Sequence, residues 1–442
     1  MRKMSEIQND FCFQVDILDM SARMDAEFYR PSFANNEILV SKKAGHRTLS
    51  DYVLSMNGGA TPRLSDSSAY DLTDGAVPFI RVQNLTKYGE LNLNSYKEIS
   101  RNIHEGALAR SQVHGGDLLI KITGVGRMGV ASVAPDGFEG NINQHVVVVK
   151  TESREIAEYL CDYLNLDVIE TIAKRHSTGG VRPALDYTSL RNIPIVEGID
   201  FTRLRDSKKS IKIAEARCLE LEASLQAFLE DLLVVKNKKS NGDLYYVQSF
   251  YEMIGNSWTP NNFKRHGLKQ NETDSFSLID ICSLNKGQSV TSKDVINGDF
   301  EVIGGGKTSP YSSETYNTDA GAITISASGA YAGYVWFHDK PIFASDCIVI
   351  RSKDESSFLT RYVSEVLKAY QQQLYSLQRG AGQPHVYISD ISNFQIPYMA
   401  NGKQQEIIDE IDRRRVEMKN IRDEAYLKYE EACEEINKYL LS

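Results

Sequence analysis

The chain has 442 residues, 41% of them hydrophobic and 25% charged, and a formal net charge of −9. This length and composition suit two or three soluble domains, and the acidic balance argues at first sight against a nucleic-acid partner. No run of about 18 apolar residues and no signal peptide is present, so we expect a cytoplasmic location. The six cysteines form no Cys-x-x-Cys pair, which favours reduced, buried thiols over a zinc site.

The first half of the chain predicts a domain of mixed strands and helix. A segment at 1–44 precedes it. Short apolar runs then predict strands at 77–82, 118–122, 130–133 and 146–149, followed by a helix near 156–173. Strands that come first, with one helix after them, favour an α+β domain over a doubly wound sheet, and we place this domain at 45–198.

A long helix follows at 199–238. Its apolar residues recur every seven positions, which indicates a coiled-coil seam: Leu204, Ile211, Cys218, Leu225 and Leu232. A continuous helix over 200–236 would be roughly 55 Å long at about 1.5 Å per residue. The charged, Gly- and Asn-containing stretch 236–243 ends this helix and divides the chain into two halves.

The second half repeats this order. A linker segment at 239–275 leads into a second α+β domain at 276–400, with strands predicted at 301–303, 322–325, 334–337 and 347–350 and a helix near 359–375. The C-terminal helix, 401–442, has the same seven-residue spacing at Ile411, Met418, Ala425, Ala432 and Tyr439. We predict that it pairs antiparallel with the first long helix; two unrelated amphipathic helices are the alternative.

Landmarks recur in both halves in the same order, which indicates an internal repeat. They are a glycine turn, an apolar strand running into a glycine loop, and a Gly-rich turn closed by proline, at 57–59, 118–126 and 179–183 and again at 285–287, 322–329 and 380–384. Two copies of one module imply two similar binding surfaces on one chain.

Several of these motifs resemble the specificity subunit of type I restriction-modification systems. They are residues 57–62, 77–85, 116–120 and 140–144, with a related variant at 287, 302–306, 325–333 and 345–346. The order of domain, long helix, domain, long helix is similar to that family over nearly the whole chain. The resemblance implies a DNA-binding subunit of a restriction system. Each recognition domain would bind one half of a bipartite double-stranded target, and the paired helices would set the gap.

The same resemblance implies that the chemistry belongs to partners. Two modification subunits would dock on the helices and methylate adenine at N6 with S-adenosylmethionine, and a restriction subunit that translocates and cuts DNA would join the complex. The chain has neither an Asn-Pro-Pro-Tyr/Phe methylase motif nor a phosphate-binding Gly-x-x-x-x-Gly-Lys-Ser/Thr loop. We therefore expect no catalytic residue, metal or cofactor on this chain.

Polar side chains on loops near the glycine turns are the candidates for DNA contact. Arg and Lys can donate to guanine, Asn and Gln can pair with adenine, and hydroxyls can reach phosphates. For any one of them a solvated loop side chain is an equally good interpretation. The candidates are Thr61, Arg63, Arg81, Gln83, Asn84, Lys121, Thr123, Arg127, Asn143, Gln144 and Arg182, and in the second half Lys286, Gln288, Lys307, Ser328, Tyr331, Ser345 and Gln383.

Two other functional classes stay open. A protein-binding scaffold with duplicated modules and coiled-coil helices would suit the acidic balance. A small-molecule enzyme would need the glycine loops, but the Gly-x-Gly-x-x-Gly spacing at 124–129 is followed by a predicted strand where a dinucleotide site requires a helix. We expect Cys161 to be a core thiol rather than a nucleophile paired with His176.

Overall fold

The computed structural model describes residues 13–15, 20, 23–233, 275–290, 298–380 and 382–442, without the side chains of 230–233. The chain divides into two compact units, Met1–Ile213 with Asp423–Ser442 (unit 1) and Ala214–Arg422 (unit 2). The break predicted at 236–243 and nearly all of the predicted linker segment lie outside the described residues. Within the described ranges, no helix combines the length and apolarity needed to cross a membrane.

Unit 1 contains two small sheets. The first is antiparallel with strand order β1-β8-β5-β6, and the second has the order β3-β2-β7-β4 with β2 and β7 parallel. The central strands β5 and β8 are buried apolar runs, as expected for strands covered on both faces. The strands are β1 Ser55–Gly58, β2 Ala76–Ile80, β3 Lys97–Ser100, β4 Gln112–His114, β5 Leu118–Lys121, β6 Ala131–Val133, β7 Glu139–Ile142 and β8 Val146–Lys150.

The prediction of a single helix near 156–173 is wrong. Two helices, α4 and α5, occupy this range, because Leu166 between them adopts an extended backbone with φ −70° and ψ 144°. The Asn165 amide donates to the Cys161 carbonyl oxygen at 2.9 Å and caps the end of α4. The helices of unit 1 before the first long helix are α1 Ala26–Tyr29, α2 Pro31–Ala44, α3 Arg101–Glu105, α4 Arg154–Leu164, α5 Asp167–His176 and α6 Tyr187–Arg191.

Unit 2 has the corresponding sheets. One is antiparallel with order β10-β16-β13-β14; the second has order β12-β11-β15 with β11 and β15 parallel, and β9 pairs with β17. These strands are β9 Ser275–Ser277, β10 Cys282–Lys286, β11 Phe300–Ile303, β12 Ser312–Ser313, β13 Ala322–Ser326, β14 Val335–His338, β15 Phe343–Ala344, β16 Cys347–Ser352 and β17 Gln395–Pro397.

The helix predicted near 359–375 also divides in two, at Tyr370, whose ψ of 20° departs from helical geometry. The short helices of unit 2 are α8 Leu278–Ile281, α9 Thr360–Ala369, α10 Gln371–Ser376 and α11 Ile388–Ile391.

The two units share one strand plan. The order β1-β8-β5-β6 in unit 1 corresponds strand by strand to β10-β16-β13-β14 in unit 2, and the parallel pair β2–β7 corresponds to β11–β15. The predicted internal repeat and α+β class are confirmed. Each copy buries its own apolar core, around Leu119 and Val148 in unit 1 and around Ile323 and Ile350 in unit 2.

The long helices are α7 Thr202–Leu233 and α12 Asn401–Leu441, and each has residues in both units. Within unit 1 the start of α7 meets the end of α12, where Arg203 lies 3.4 Å from Glu431. Within unit 2 the Cys218 thiol donates to the Met418 carbonyl oxygen at 3.4 Å. Residue numbers rise along one helix as they fall along the other, so the predicted antiparallel pairing is confirmed.

Most of the predicted heptad residues are buried, which is typical of a packed seam. Tyr439 differs, because its side chain is 52% exposed and lies under the Lys43 ammonium, 4.4 Å from the ring centroid. The Leu232 side chain lies outside the described residues. The buried members are Leu204, Ile211, Cys218, Leu225, Ile411, Met418, Ala425 and Ala432.

A buried carboxylate joins each globular part to a long helix. In unit 1, Asp162 on α4 accepts from Arg205 and Lys208 of α7, each at 2.6 Å. In unit 2, Glu365 on α9 accepts from both terminal nitrogens of Arg415 of α12, at 2.9 and 2.6 Å. Because a buried charge is tolerated only when it is paired, these contacts fix each helix against its own domain.

Candidate nucleic-acid interface

In each unit, two loops are joined by the same backbone hydrogen bonds. In unit 1 the glycine loop after β5 meets the proline-closed turn before α6, where the Gly124 amide donates to the Pro183 carbonyl oxygen at 3.0 Å. In unit 2 the Gly329 amide donates to the Pro384 carbonyl oxygen at 2.9 Å. The structure thus places two of the repeated landmarks side by side, twice.

Some unit 1 candidates form an exposed polar group. The Thr61 hydroxyl donates to the side-chain oxygen of exposed Gln144, whose amide nitrogen lies 3.3 Å from Nε2 of His145. Arg63 and Arg182 are exposed, and within the described part of the chain neither guanidinium has an ion-pair or hydrogen-bond partner. These groups are free to donate to bases or phosphates.

Other candidates are buried in unit 1. The Asn84 amide donates to the Asn92 and Ser95 carbonyl oxygens at 2.9 and 2.8 Å, and Asn143 accepts from the His145 amide at 3.2 Å. These two side chains, only 1% and 7% exposed, shape the loops from inside.

Lys121 is also buried, at 5% exposure. Its ammonium donates to the Val125 carbonyl oxygen at 2.7 Å, within the glycine loop. Burial lowers the pKa of this lysine, and the negative charge of Glu170 opposes that shift. The side chain that the sequence suggests as a DNA contact therefore holds the loop tip from below.

Three further candidates are half-buried. Arg127 donates to the Asp167 carboxylate and to the Asn165 carbonyl oxygen, which ties the glycine loop to α5. Arg81 lies against the side-chain amide of exposed Gln83. Thr123 forms a β-bridge with Ala184 between the two joined loops.

In unit 2, Lys307 lies among three tyrosines. Its ammonium is 4.5, 5.4 and 5.7 Å from the ring centroids of Tyr331, Tyr334 and Tyr375, within the range of cation–π attraction. Lys307 is exposed and Tyr331 is 45% exposed. Ser326 holds the preceding glycines, because its hydroxyl lies 3.2 and 3.1 Å from the Gly304 and Gly306 carbonyl oxygens.

The remaining unit 2 candidates divide between the surface and the interior. Lys286, Gln288 and Gln383 are exposed. Ser328 is buried and donates to the Asp346 carboxylate, and the buried hydroxyl of Ser345 accepts from the Val290 amide at 3.4 Å.

Three exposed residues of unit 1 were missed by sequence reasoning. A Cβ on Gly58 would lie 2.1 Å from the Tyr187 hydroxyl, so this 39% exposed tyrosine lies over the glycine turn. Val125 and Val181 are 76% and 88% exposed at the tips of the two joined loops. The sequence signal for the valines is a neighbouring glycine, because Val125 lies between Gly124 and Gly126 and Val181 follows Gly180.

The structure gives no support to nucleophilic chemistry at Cys161. This thiol is 3% exposed, burial raises its pKa to about 12, and the predicted core thiol is confirmed. His176 instead lies 2.9 Å from the Glu37 carboxylate. Among the described residues, no three His, Cys, Asp or Glu side chains converge as metal ligands.

A cavity of about 570 Å³ in unit 1 lies between residues 88–93 and α7. Its cations are already paired: Lys208 and Arg205 with Asp162, Lys212 with Glu90 and Arg154 with Glu158. These pairs leave little net charge to attract an anionic ligand.

Comparison with known proteins matches part of the chain to one family model. Residues 269–420 match the model of the type I restriction modification DNA specificity domain. The fold is similar to the S subunit of the type I restriction-modification system from M. genitalium, with 14% identity, 89% of this chain and 94% of that chain covered, and a TM-score of 0.39. It is also similar to the HsdS subunit from Thermoanaerobacter tengcongensis, with 15% identity, 89% and 94% covered, and a TM-score of 0.33.

A third similar structure comes from work on complex assembly and conformational transition of the type I R-M system. It has 15% identity, 89% of this chain and 95% of that chain covered, and a TM-score of 0.41. No curated protein matches the chain. The match to the model therefore covers about a third of the chain, and residues 269–420 are similar to the type I restriction modification DNA specificity domain.

Proposed function

We propose that this chain is the DNA-sequence specificity subunit of a type I restriction-modification complex. Its two recognition domains, at 45–198 and 276–400, each bind one half of a bipartite double-stranded DNA target. The observation that carries this proposal is the repeated pair of loops, which has the same Gly-to-Pro backbone bond in both units but different side chains. Two copies of one backbone scaffold with different side chains suit the reading of two different half-sites.

The helical spacers, 199–238 and 401–442, set the gap between the half-sites and dock two modification subunits. The modification subunits bind S-adenosylmethionine and carry out the adenine-N6 methyl transfer. The endonuclease activity belongs to a restriction subunit. The acidic surface of this chain opposes DNA through long-range repulsion. The isolated chain therefore binds DNA weakly, and the modification subunits add the positive surface that strengthens binding.

The test is to express the chain with the methyltransferase subunit encoded beside it and to map N6-methyladenine across a test genome. We expect a two-part methylated motif with a fixed gap. A second culture carries Arg182→Ala and Lys307→Ala, because both residues are exposed loop candidates. Methylation of the motif should become less complete, because each substitution removes a cation that can donate to DNA.

A protein-binding scaffold is the competing function. It predicts that the chain leaves no methylated motif and copurifies without a methyltransferase. That result, with the chain folded and soluble, would replace the specificity-subunit proposal.

A further inference from the structure

The tips of the two joined loops of unit 1 expose apolar side chains. Val125 is 76% exposed between Gly124 and Gly126, whose φ values are +125° and +83°. Val181 is 88% exposed at the tip of the hairpin that Thr178 and Ala184 close by mutual backbone bonds of 2.8 and 2.7 Å. The two valines lie at the tips of loops that are joined to each other, and burying them in a complex would remove their apolar area from water.

The chain fixes these tips in place. Lys121, itself 5% exposed, donates to the Val125 carbonyl oxygen at 2.7 Å, and the Gly124 amide donates to the Pro183 carbonyl oxygen at 3.0 Å. Withdrawing a lysine ammonium from water is unfavourable unless it is compensated by a hydrogen bond or charge. A buried cation thus holds the backbone of Val125 while the valine side chain stays exposed, so the loop tip is preorganised for contact.

The repeat supplies an internal comparison. Counted from the shared Gly-to-Pro bond, unit 2 has Ala330 where unit 1 has Val125, Gly382 where it has Val181, and Gln383 where it has Arg182. The backbone is retained while the three side chains change. The backbone pairing of the two loops therefore does not depend on these three side chains, which can serve a different half-site in each unit.

The chemistry of the tips identifies their partner. Thymine is the base that presents a methyl group in the major groove, where apolar side chains recognise it. Arg182, next to Val181, is exposed and without an ion-pair partner in the described ranges, and it suits guanine or phosphate. An apolar contact beside a free guanidinium fits DNA better than a purely apolar protein surface.

We propose that Val125 and Val181 recognise the 5-methyl group of a thymine in the half-site bound by unit 1, with Arg182 on an adjacent base or phosphate. This inference rests on the proposed function, because it requires the chain to bind a specific DNA sequence.

The test uses the complex with its modification subunits and duplexes carrying the mapped methylation motif. Each thymine of both half-sites is replaced in turn by uracil, which lacks only the methyl group. For wild type we expect a roughly fourfold weaker Kd at one or more thymines, all in a single half-site, as expected from loss of about one buried methyl group. The Val125→Ser and Val181→Ser variants should bind the thymine and uracil duplexes equally.

Leu64→Ser is the matched control, because Leu64 is 83% exposed in the same unit but lies outside both joined loops. It should discriminate thymine from uracil as wild type does. Equal wild-type binding to every uracil duplex, or a motif lacking thymine in the relevant half-site, would overturn the proposal while leaving the specificity function intact.

Two other results separate the remaining explanations. Valine variants that lose modification subunits but still discriminate thymine from uracil would assign the valines to a protein contact and overturn the proposal. Absence of any methylated two-part motif would instead count against the specificity function itself.

Discussion

Gly59 and Ile142 are so close that a Cβ on Gly59 would lie 1.9 Å from the Ile142 carbonyl oxygen. Unit 2 repeats the relationship, since a Cβ on Gly287 would lie 2.2 Å from the Ser345 carbonyl oxygen. In both units a glycine that follows the edge strand β1 or β10 lies against the end of the parallel strand pair, β2–β7 or β11–β15. The crossing holds the glycine turn against the loops that carry the candidate DNA contacts.

Replacing Gly59 by alanine should therefore destabilise unit 1. Because the obstructing atoms are backbone, they cannot move aside as a flexible side chain would, and we expect a loss of about 1–3 kcal/mol in unfolding free energy. Urea unfolding measures it. Gly304→Ala is the control, because no heavy atom lies within 4 Å of its Cβ position. Equal stability of the two variants would contradict the steric explanation.

Replacing Glu365 by glutamine should destabilise unit 2. This carboxylate is 1% exposed and receives both terminal nitrogens of Arg415. We expect a loss of about 2–3 kcal/mol, at the low end for a broken buried pair because Arg415 is partly exposed. Chemical denaturation measures it. Glu410→Gln on α12 removes a carboxylate that pairs with Arg413 and Arg414 and is more exposed than Glu365, so it should change stability less.

The same carboxylate predicts a pH dependence. Burial raises the pKa of Glu365, but the Arg415 hydrogen bond and the charges of Lys368, Arg415 and Arg361 lower it more, so its pKa lies below the ordinary 4.5. A folded-state pKa below the unfolded value stabilises the fold at higher pH, and this contribution is lost as the pH falls below about 4.5. The free energy of unfolding of wild type should thus decrease more steeply with falling pH than that of Glu365→Gln. Parallel curves would show that another group titrates.

Lys121→Met should weaken DNA binding without changing its salt dependence. The ammonium is buried and holds the Val125 loop, so we expect no contact between it and a phosphate. Removing it loosens the loop tip without changing the number of counterions released when DNA binds. We expect a roughly three- to tenfold loss of affinity with an unchanged slope of log K against log salt. Arg63→Met, which removes an exposed cation, should reduce the slope by about 0.9. A reduced slope for Lys121→Met would restore Lys121 as a direct contact.

Under the proposed function, Lys307→Gln should weaken DNA binding by unit 2. The tyrosines hold the ammonium at the surface, so its loss should lower the salt slope by about 0.9, as for one phosphate contact. Lys340→Gln is the matched control. Lys340 is also exposed, but it lies after the C-terminal end of β14, whereas Tyr331 lies before the N-terminal end of that strand. Salt titrations of the complex with duplex DNA distinguish them, and identical slopes for both variants would exclude Lys307 as a phosphate contact.

Native-state alkylation should leave Cys161, Cys282 and Cys347 unmodified at pH 8. All three are buried, and burial raises the pKa of each thiol to about 12, which leaves almost no thiolate. Mass spectrometry after iodoacetamide treatment should find them modified only in urea. Rapid modification of any of them in buffer would indicate local opening of its domain.

Sequence patterns alone predict the repeat, the α+β class and the antiparallel long helices. These features depend on short-range patterns that one chain displays directly: apolar runs at strands, a seven-residue spacing on helices, and glycine landmarks in the same order. The sequence was less able to predict where helices break, because Leu166 and Tyr370 interrupt the apolar periodicity by backbone geometry rather than by composition.

Which candidate side chains are available for contact depends on three-dimensional packing. Lys121 and Asn84 are polar residues near glycine turns, as Arg63 and Arg182 are, yet the first two point into the fold and the last two into solvent. Sequence pattern cannot make this distinction, because the direction of a loop side chain depends on strands and loops distant in the chain. The exposed valines became visible for the same reason: burial is a property of three-dimensional packing, and residue type alone does not determine it.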